Sequence, residues 1–312
     1  MIYDISPMLA KKFEGDIKYD KDGYYITEKL DGNRCIASYS DGKWNFTSRN
    51  GKAMYVDFDM EGLDKNLVYD GEILSPEQVE MSAAIHAKIA FDINLNKKFS
   101  DMFSGTSGLI NRHTTDKKLI YNIFDIQDSS ATYRERRDVL DSFTNIASLD
   151  VRVLPVLKHC KDARELQECY DILDKIVAIG GEGAMINLGS ASYMHKRTDQ
   201  LLKLKKVYTM DMIVYDIEYG TGKYEGQIGA LKAIAKTSDN KVVRCNVGSG
   251  LTDEQRLNWS KNLDLIINKI IEVSYFSLSQ TKEDREYGIN MYSLRFPRLK
   301  CVRTDKDVTS ID

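Results

Sequence analysis

Long apolar runs are missing from this 312-residue chain. No stretch reaches the roughly 18 consecutive apolar residues of a membrane-spanning helix, and the N-terminal segment lacks the basic-then-apolar pattern of a secretory leader. The five cysteines (Cys35, Cys160, Cys169, Cys245 and Cys301) are odd in number and scattered, with no C-x-x-C pair. Neither a disulfide framework nor a zinc site is therefore expected. Proline occurs only four times, so no proline-rich linker separates domains. Internal repeats and low-complexity segments are absent too. Together these absences predict an intracellular protein with no membrane partner.

An excess of either charge is also lacking. With 44 Lys and Arg against 47 Asp and Glu, the net charge is −3. A nucleic-acid binder usually carries a basic footprint, so the sum counts against that class. Local clusters matter more than the sum. One cluster runs His195-Lys196-Arg197 and on to Lys203, Lys205 and Lys206; another holds Arg295, Arg298, Lys300, Arg303 and Lys306. Either alone reads as solvated surface charge. The length suggests about two domains, and a hydrophobic fraction of 42% is ample for two cores.

The first two thirds of the chain read as mixed α and β. Tyr24 to Lys29 and Arg34 to Ser40 are strand-like, Asp41-Gly42 is a two-residue hairpin signal, and Lys43 to Arg49 returns to an Asn50-Gly51 turn. Val68 to Leu74 and Leu119 to Ile126 read as further strands. Ser75-Pro76-Glu77-Gln78 is a capping box with proline at the first helical position, predicting a helix from Pro76 to about Ile89. Leu166, Tyr170, Leu173 and Val177 follow helical spacing and predict a second helix, ended by Gly180-Gly181. After Lys206 the texture turns to β. Met210–Tyr219, Leu231–Lys236, Lys241–Val247, Ile270–Phe276 and Leu299–Arg303 read as strands, with one helix capped by Thr252 and Gln255. Five short strands and a helix suit a small Greek-key barrel of the OB type.

Within this frame lies a succession of charged motifs. Glu28-Lys29 opens E-K-L-D-G-N-R, which ends at Arg34; then come S-R-N-G around Arg49, D-G-E ending at Glu72, and I-F-D around Phe124. Glu182-Gly183 follows, then K-L-K at Lys203 to Lys205, and finally R-F-P-R-L-K-C-V-R-T-D-K from Arg295 to Lys306. The tetrapeptide K-x-D-G alone would arise by chance in about one such chain in ten to twenty. A lysine becomes a nucleophile only when nearby cations or burial depress its pKa, and Arg34, Lys203 and Lys205 are candidates for that field. Gly32 is expected to relax the backbone so that a phosphate approaches Lys29. Lys203 and Lys205 alternate with Leu202, Leu204 and Val207, which on a strand puts both ammonium groups on one face. Phe124 fits either a base-stacking platform or an ordinary strand core position.

In this order the motifs resemble the covalent nucleotidyltransferase superfamily, and the last one is similar in form to that of its ATP-dependent DNA ligase branch. The resemblance covers Tyr24 to Lys306. It implies an α/β (α+β) nucleotidyltransferase domain with antiparallel sheets, residues 1–206, followed by a small all-β OB-fold domain, residues 207–312. By the same resemblance Lys29 takes AMP from ATP as a lysyl phosphoramidate, with Glu28 and Arg34 beside the nucleotide. Arg49 would hold the nucleotide or the 5′-phosphate region, Glu72 would accept from the ribose, Phe124 would stack on adenine, and Glu182 would bind Mg²⁺. Lys203 and Lys205 would face the α-phosphate, while Arg295, Arg298, Arg303 and Lys306 would orient the pyrophosphate. The implied partner is nicked duplex DNA, sealed by a monomer. One departure is Asn187, where the family usually has a basic residue. The short stretch before Lys29 is similar to the minimal two-domain form of viruses and phages, which implies the cytoplasm of a bacterium or a virus-infected host cell, and in which the charged loop Ser277 to Tyr287 would help grip DNA. An RNA ligase, an mRNA-capping guanylyltransferase or an inactive OB-containing nucleic-acid-binding protein are the competing expectations.

Overall fold

The computed structural model describes residues 6–15, 17–93, 119–143, 148–280, 284 and 288–306. The chain divides into two compact units between Lys205 and Lys206.

Among the described residues, ten strands of the first unit form two sheets. They are β1 (Leu9–Lys12), β2 (Tyr24–Lys29), β3 (Asn33–Ser40), β4 (Lys43–Ser48), β5 (Tyr69–Leu74), β6 (Ile120–Ile126), β7 (Val151–Val153), β8 (Val156–Cys160), β9 (Gly183–Leu188) and β10 (Arg197–Leu204). One sheet has the order β1-β10-β9-β2-β8 and the other β4-β3-β5-β6-β7. The pairing is antiparallel except at two sheet edges, where β1 runs parallel to β10 and β7 parallel to β6. The β3–β4 hairpin turns through Asp41 and Gly42, both at positive φ (52° and 77°), as a two-residue turn matched to strand twist requires.

Among the described residues three helices accompany these sheets: α1 (Pro76–Phe91), α2 (Tyr133–Ser142) and α3 (Glu168–Ile179). The expected box forms at α1, where the Ser75 hydroxyl accepts from the Gln78 N–H and the Gln78 side chain accepts from the Ser75 N–H. Helix α2 begins with a second box, Thr132 with Glu135. Gly180, at φ 118°, ends α3 with its N–H and that of Gly181 returned to the last turn. The buried face of α3 is Cys169, Ile172, Leu173, Ile176 and Ile179, which corrects the expected stripe: Tyr170 stays 37% exposed. Leu166 belongs to a preceding 3₁₀ turn, Glu165–Gln167, and is buried in the same core as the helix face. Tyr24 and Ile26 of β2, Ile85 of α1, Ile176 of α3 and Ile186 of β9 share one core, each worth about 1.5–3 kcal/mol on burial. A second core, around Cys35, Tyr69, Ile73, Tyr121 and Ile123, lies on the other sheet.

The second unit holds β11 (Tyr208–Tyr219), β12 (Ile228–Lys236), β13 (Val242–Val247), α4 (Asp253–Lys261), β14 (Ile270–Tyr275), β15 (Leu278–Ser279), β16 (Met291–Leu294) and β17 (Arg298–Val302). Its sheet runs β15-β16-β13-β12-β11-β14-β17. A parallel bridge between Ser249 and Arg298 joins the end of β13 to the start of β17. The five strands β13-β12-β11-β14-β17 thereby close on themselves, and they are the five that the sequence pattern marks. Closure removes the open edges of the barrel. Arg256 of α4 donates to the carbonyls of Ile228, Gly229 and Gly248 (2.6, 2.7 and 2.5 Å), and Trp259 enters the barrel core. The loop Ser277 to Tyr287 falls largely outside the described residues. Among the described residues no helix is long and apolar enough to cross a membrane.

Candidate active site

Lys29 is the last residue of β2 and pairs with Gly183, the first residue of β9. Ala184 in turn pairs with Leu204, the last residue of β10. Three neighbouring strands therefore end together, and the residues at their ends converge. Lys29 Nζ is ion-paired with one oxygen of Glu182, and Lys205 Nζ with the other. The carboxylate itself is 6% exposed. Gly183, at φ 154°, has no room for a Cβ because the Leu204 carbonyl lies against it, which lets β9 start this close to β10. Lys203 lies on the same face as Lys205, two residues earlier. Its pKa is lowered by burial first and then by the cations Lys205, Arg197 and Lys29. Val207 does not continue the alternation: it lies beyond β10 and is 55% exposed.

Beside these groups is a cavity of about 430 Å³, lined by Lys29, Arg34, Arg49, Glu72, Phe124 and Lys203 among others. Arg49 is exposed, just past β4. Glu72, on β5, accepts the Gly32 N–H at 3.0 Å. A Cβ at Gly32, which also lines the cavity, would press into the Ile73 carbonyl and the Leu74 side chain, so glycine permits close packing on β5. Burial pushes the Glu72 carboxyl up to about 7, against the favourable charges of Lys29 and Arg34 and with a further upward push from Glu182. Because the folded value lies above the ordinary one, Glu72 contributes stability at low pH that is lost as pH rises through about 7. Melting temperatures of the wild type and Glu72→Gln, scanned from about pH 5 to about pH 8, should diverge against the wild type as pH rises. Parallel curves would show that Glu72 ionises normally.

Two expected nucleotide contacts at the cavity lining also have protein partners. Glu28 is 3% exposed, and its carboxylate faces α1 rather than the cavity, because successive strand residues point to opposite faces. Arg34 makes a two-point pair with Asp70, which is fully buried, and donates to the Met8 carbonyl at 3.1 Å. Its guanidinium also lies 4.8 Å from the centroid of Phe124. Burial opposes the Arg34 charge, but Asp70 outweighs it and holds the group above the usual arginine range. Phe124 packs against the small cluster of Leu30, Leu74, Val79, Ile120 and Leu154 and also borders the cavity.

Residues 7–205 match the family model of the ATP dependent DNA ligase domain. The chain belongs to this ligase family. Residues 219–303 of the ligase chain match the DNA ligase OB-like domain. The DNA ligase of Methanococcus vannielii is 26% identical over 99% of this chain and 58% of its own length. That of Archaeoglobus fulgidus is 29% identical over 57% of this chain and 34% of its own length. The chain thus spans less than two thirds of these curated relatives. Among solved structures, the chain named Pmar-Lig_PreS3 superposes with a TM-score of 0.73 at 23% identity, covering 96% of this chain and 67% of that one. A Lig E DNA ligase superposes at 0.69 and 20% identity, covering 96% and 99%. Both likenesses concern the fold.

The C-terminal cations of the ligase chain lie in its OB-like unit. Arg303 pairs with Asp211 (3.0 Å) and Asp305 (2.7 Å), and Lys306 donates to Asp211 at 2.8 Å. Arg295 lies 5.8 Å from the ring centroid of Phe276, and Arg298 is exposed on β17. Sequence reasoning missed the contribution of β1: Met8, Leu9 and Ala10 line the cavity, as do Thr27 and Leu201. The apolar spacing of β1 is too short to register as a strand. Arg197, marked only as part of a basic run, lines the cavity and donates to the Ala10 carbonyl at 2.5 Å.

Proposed function

We propose that this ligase-family chain is an ATP-dependent polynucleotide ligase sealing 5′-phosphate/3′-hydroxyl nicks in duplex DNA. The observation that carries the reading is a lysine at a cavity wall, ion-paired to a buried carboxylate that a second lysine also holds. In the first step Lys29 Nζ, having lost its proton, attacks the α-phosphate of ATP. An N–P bond forms, the P–O bond to the β-phosphate breaks, and pyrophosphate leaves. The AMP then passes to the 5′-phosphate at the nick, and the 3′-hydroxyl displaces it to form the phosphodiester.

Each step is phosphoryl-type transfer, so positioning and charge stabilisation carry most of the catalysis. Lys203 and Lys205 offset negative charge growing on the α-phosphate. Glu72 accepts from the ribose and Phe124 borders the base, stacking being worth about 1–3 kcal/mol. Arg49 is assigned to the nucleotide or 5′-phosphate, and Arg295, Arg298, Arg303 and Lys306 to the pyrophosphate. Residues 1–206 then form the adenylyltransferase domain of a monomer, and residues 207–312 its OB-fold domain. Among the described residues no three His, Cys, Asp or Glu side chains converge as a metal site. A single buried carboxylate fits Mg²⁺ only as nucleotide sites hold it, with phosphate oxygens completing the shell. Glu182 would be that ligand, and the ion would neutralise phosphate charge.

Intact mass after incubation with ATP and Mg²⁺, with a nicked duplex added afterwards, tests the reading. The expected result is a one-AMP increment that disappears on nicked DNA. An increment that discharges onto nicked RNA instead would make the protein an RNA ligase. No increment, even after pyrophosphate has stripped any resident AMP, would leave a binding protein.

A further inference from the structure

Helix α1 carries a polar stripe on a face that should be apolar. Gln78, Ser82 and His86 are four residues apart, so they align along one side of the helix. Gln78 is 2% and Ser82 6% exposed, among the buried apolar residues Val79, Met81 and Ile85. Polar groups buried this way cost free energy unless partnered. Their partners are the residues on either side of Lys29. Ser82 Oγ donates to Glu28 Oε2 at 2.5 Å, and His86 Nε2 lies 2.9 Å from the same oxygen, within charge-contact distance but without hydrogen-bond geometry. Gln78 Nε2 donates to the Asp31 carbonyl at 2.5 Å, while its Oε1 is held by the Ser75 N–H at the helix cap.

We infer that Gln78, Ser82 and His86 are positioning residues, through which α1 fixes the main chain from Glu28 to Asp31 and so the line along which Lys29 attacks. The inference rests on Lys29 being the nucleophile, as proposed above. Its physical basis is the alternation of β2. The Glu28 side chain points into the core and the Lys29 side chain toward the cavity, so a grip on the first sets the origin of the second. The Asp31 carbonyl supplies a second fixed point just beyond Lys29, and the segment between them cannot shift without breaking one hold. In-line displacement is sensitive to such shifts, since a misplacement of about 1 Å can cost about a hundredfold in rate. Nothing in the charged motifs announces this role: the stripe lies about 50 residues further along the chain.

The test compares Lys29 adenylylation in rapid-mixing intact-mass experiments for the wild type, Ser82→Ala, and Ser82→Ala combined with His86→Leu. At saturating ATP the double variant should charge about tenfold to a hundredfold more slowly. Its half-saturating ATP concentration should stay within about threefold of wild type, the signature of an interaction that acts on the reacting geometry rather than on binding. Replacing His86→Leu by His86→Gln, which restores a polar group beside the Glu28 carboxylate, should recover part of the rate. A double variant that charges at the wild-type rate and merely melts earlier would overturn the inference, reducing the stripe to a structural contact. Should the double variant fail to fold, Ser82→Ala alone decides by the same rate criterion. A wild-type protein that takes no AMP is a different outcome: it removes the nucleophile itself and overturns both readings.

Discussion

Lys29→Arg is expected to leave a folded protein that forms no AMP adduct. Removing a lysine usually confounds two losses, the nucleophile and the charge. Lys29→Ala would leave Glu182, 6% exposed, with Lys205 as its only remaining ammonium partner of the two. Arginine separates the losses. Its guanidinium can still pair with Glu182, but it stays protonated near neutral pH and so offers no nucleophilic lone pair. If Lys29 serves only to balance the carboxylate, Lys29→Arg should bind and transfer AMP almost normally. If it is the nucleophile, both variants should show the unmodified mass after long incubation with ATP and Mg²⁺, against complete charging of the wild type. Lys29→Arg should also keep the melting temperature of the wild type more closely than Lys29→Ala. A persistent adduct in either variant would sink the assignment of Lys29.

The contrast with the neighbouring residues shows what was legible. The five barrel strands and the helix between them follow from alternation, a capping box and turn residues, all local signals. The closure of that barrel depends on Ser249 meeting Arg298, a parallel contact with no local signature. The meeting of Lys29 with Glu182 spans 153 residues and depends on the register of three strands. Its members were named because the motifs occur in a telling order, not because the spacing brings them together. Glu28 is a different case. A strand alternates its faces, so Glu28 and Lys29 could not both send side chains into one cavity, and that much was derivable from the prediction of β2. The Thr132–Glu135 box was likewise in plain view and predicts α2. What could not be derived is the destination of Arg34: the charge looks catalytic in the motif, and only the pairing of β3 with β5 sets it opposite the D-G-E segment, with Asp70 within reach.

Arg34→Leu should therefore damage stability more than nucleotide binding. Asp70 is fully buried and takes hydrogen bonds from Arg34 and from the Tyr193 hydroxyl, whose own oxygen accepts the Met8 N–H at 2.9 Å. Loss of the guanidinium leaves the carboxylate uncompensated, which costs about 3–5 kcal/mol in buried pairs. The cation lying over Phe124 is lost as well, worth about 0.5–2 kcal/mol. Urea unfolding followed on the first unit's transition should show a fall of that order. A second change, Asp70→Asn in the Arg34→Leu background, removes the stranded charge and should recover part of it. That recovery separates a structural pair from a phosphate contact, because a nucleotide-binding arginine would gain nothing from altering Asp70. Arg34→Lys should fall between the two, since an ammonium keeps the charge but cannot make the two-point pair. Should Arg34→Leu instead unfold like the wild type and lose ATP affinity, Arg34 would be returned to the nucleotide, and the pairing with Asp70 would be only where the side chain rests in the absence of ATP.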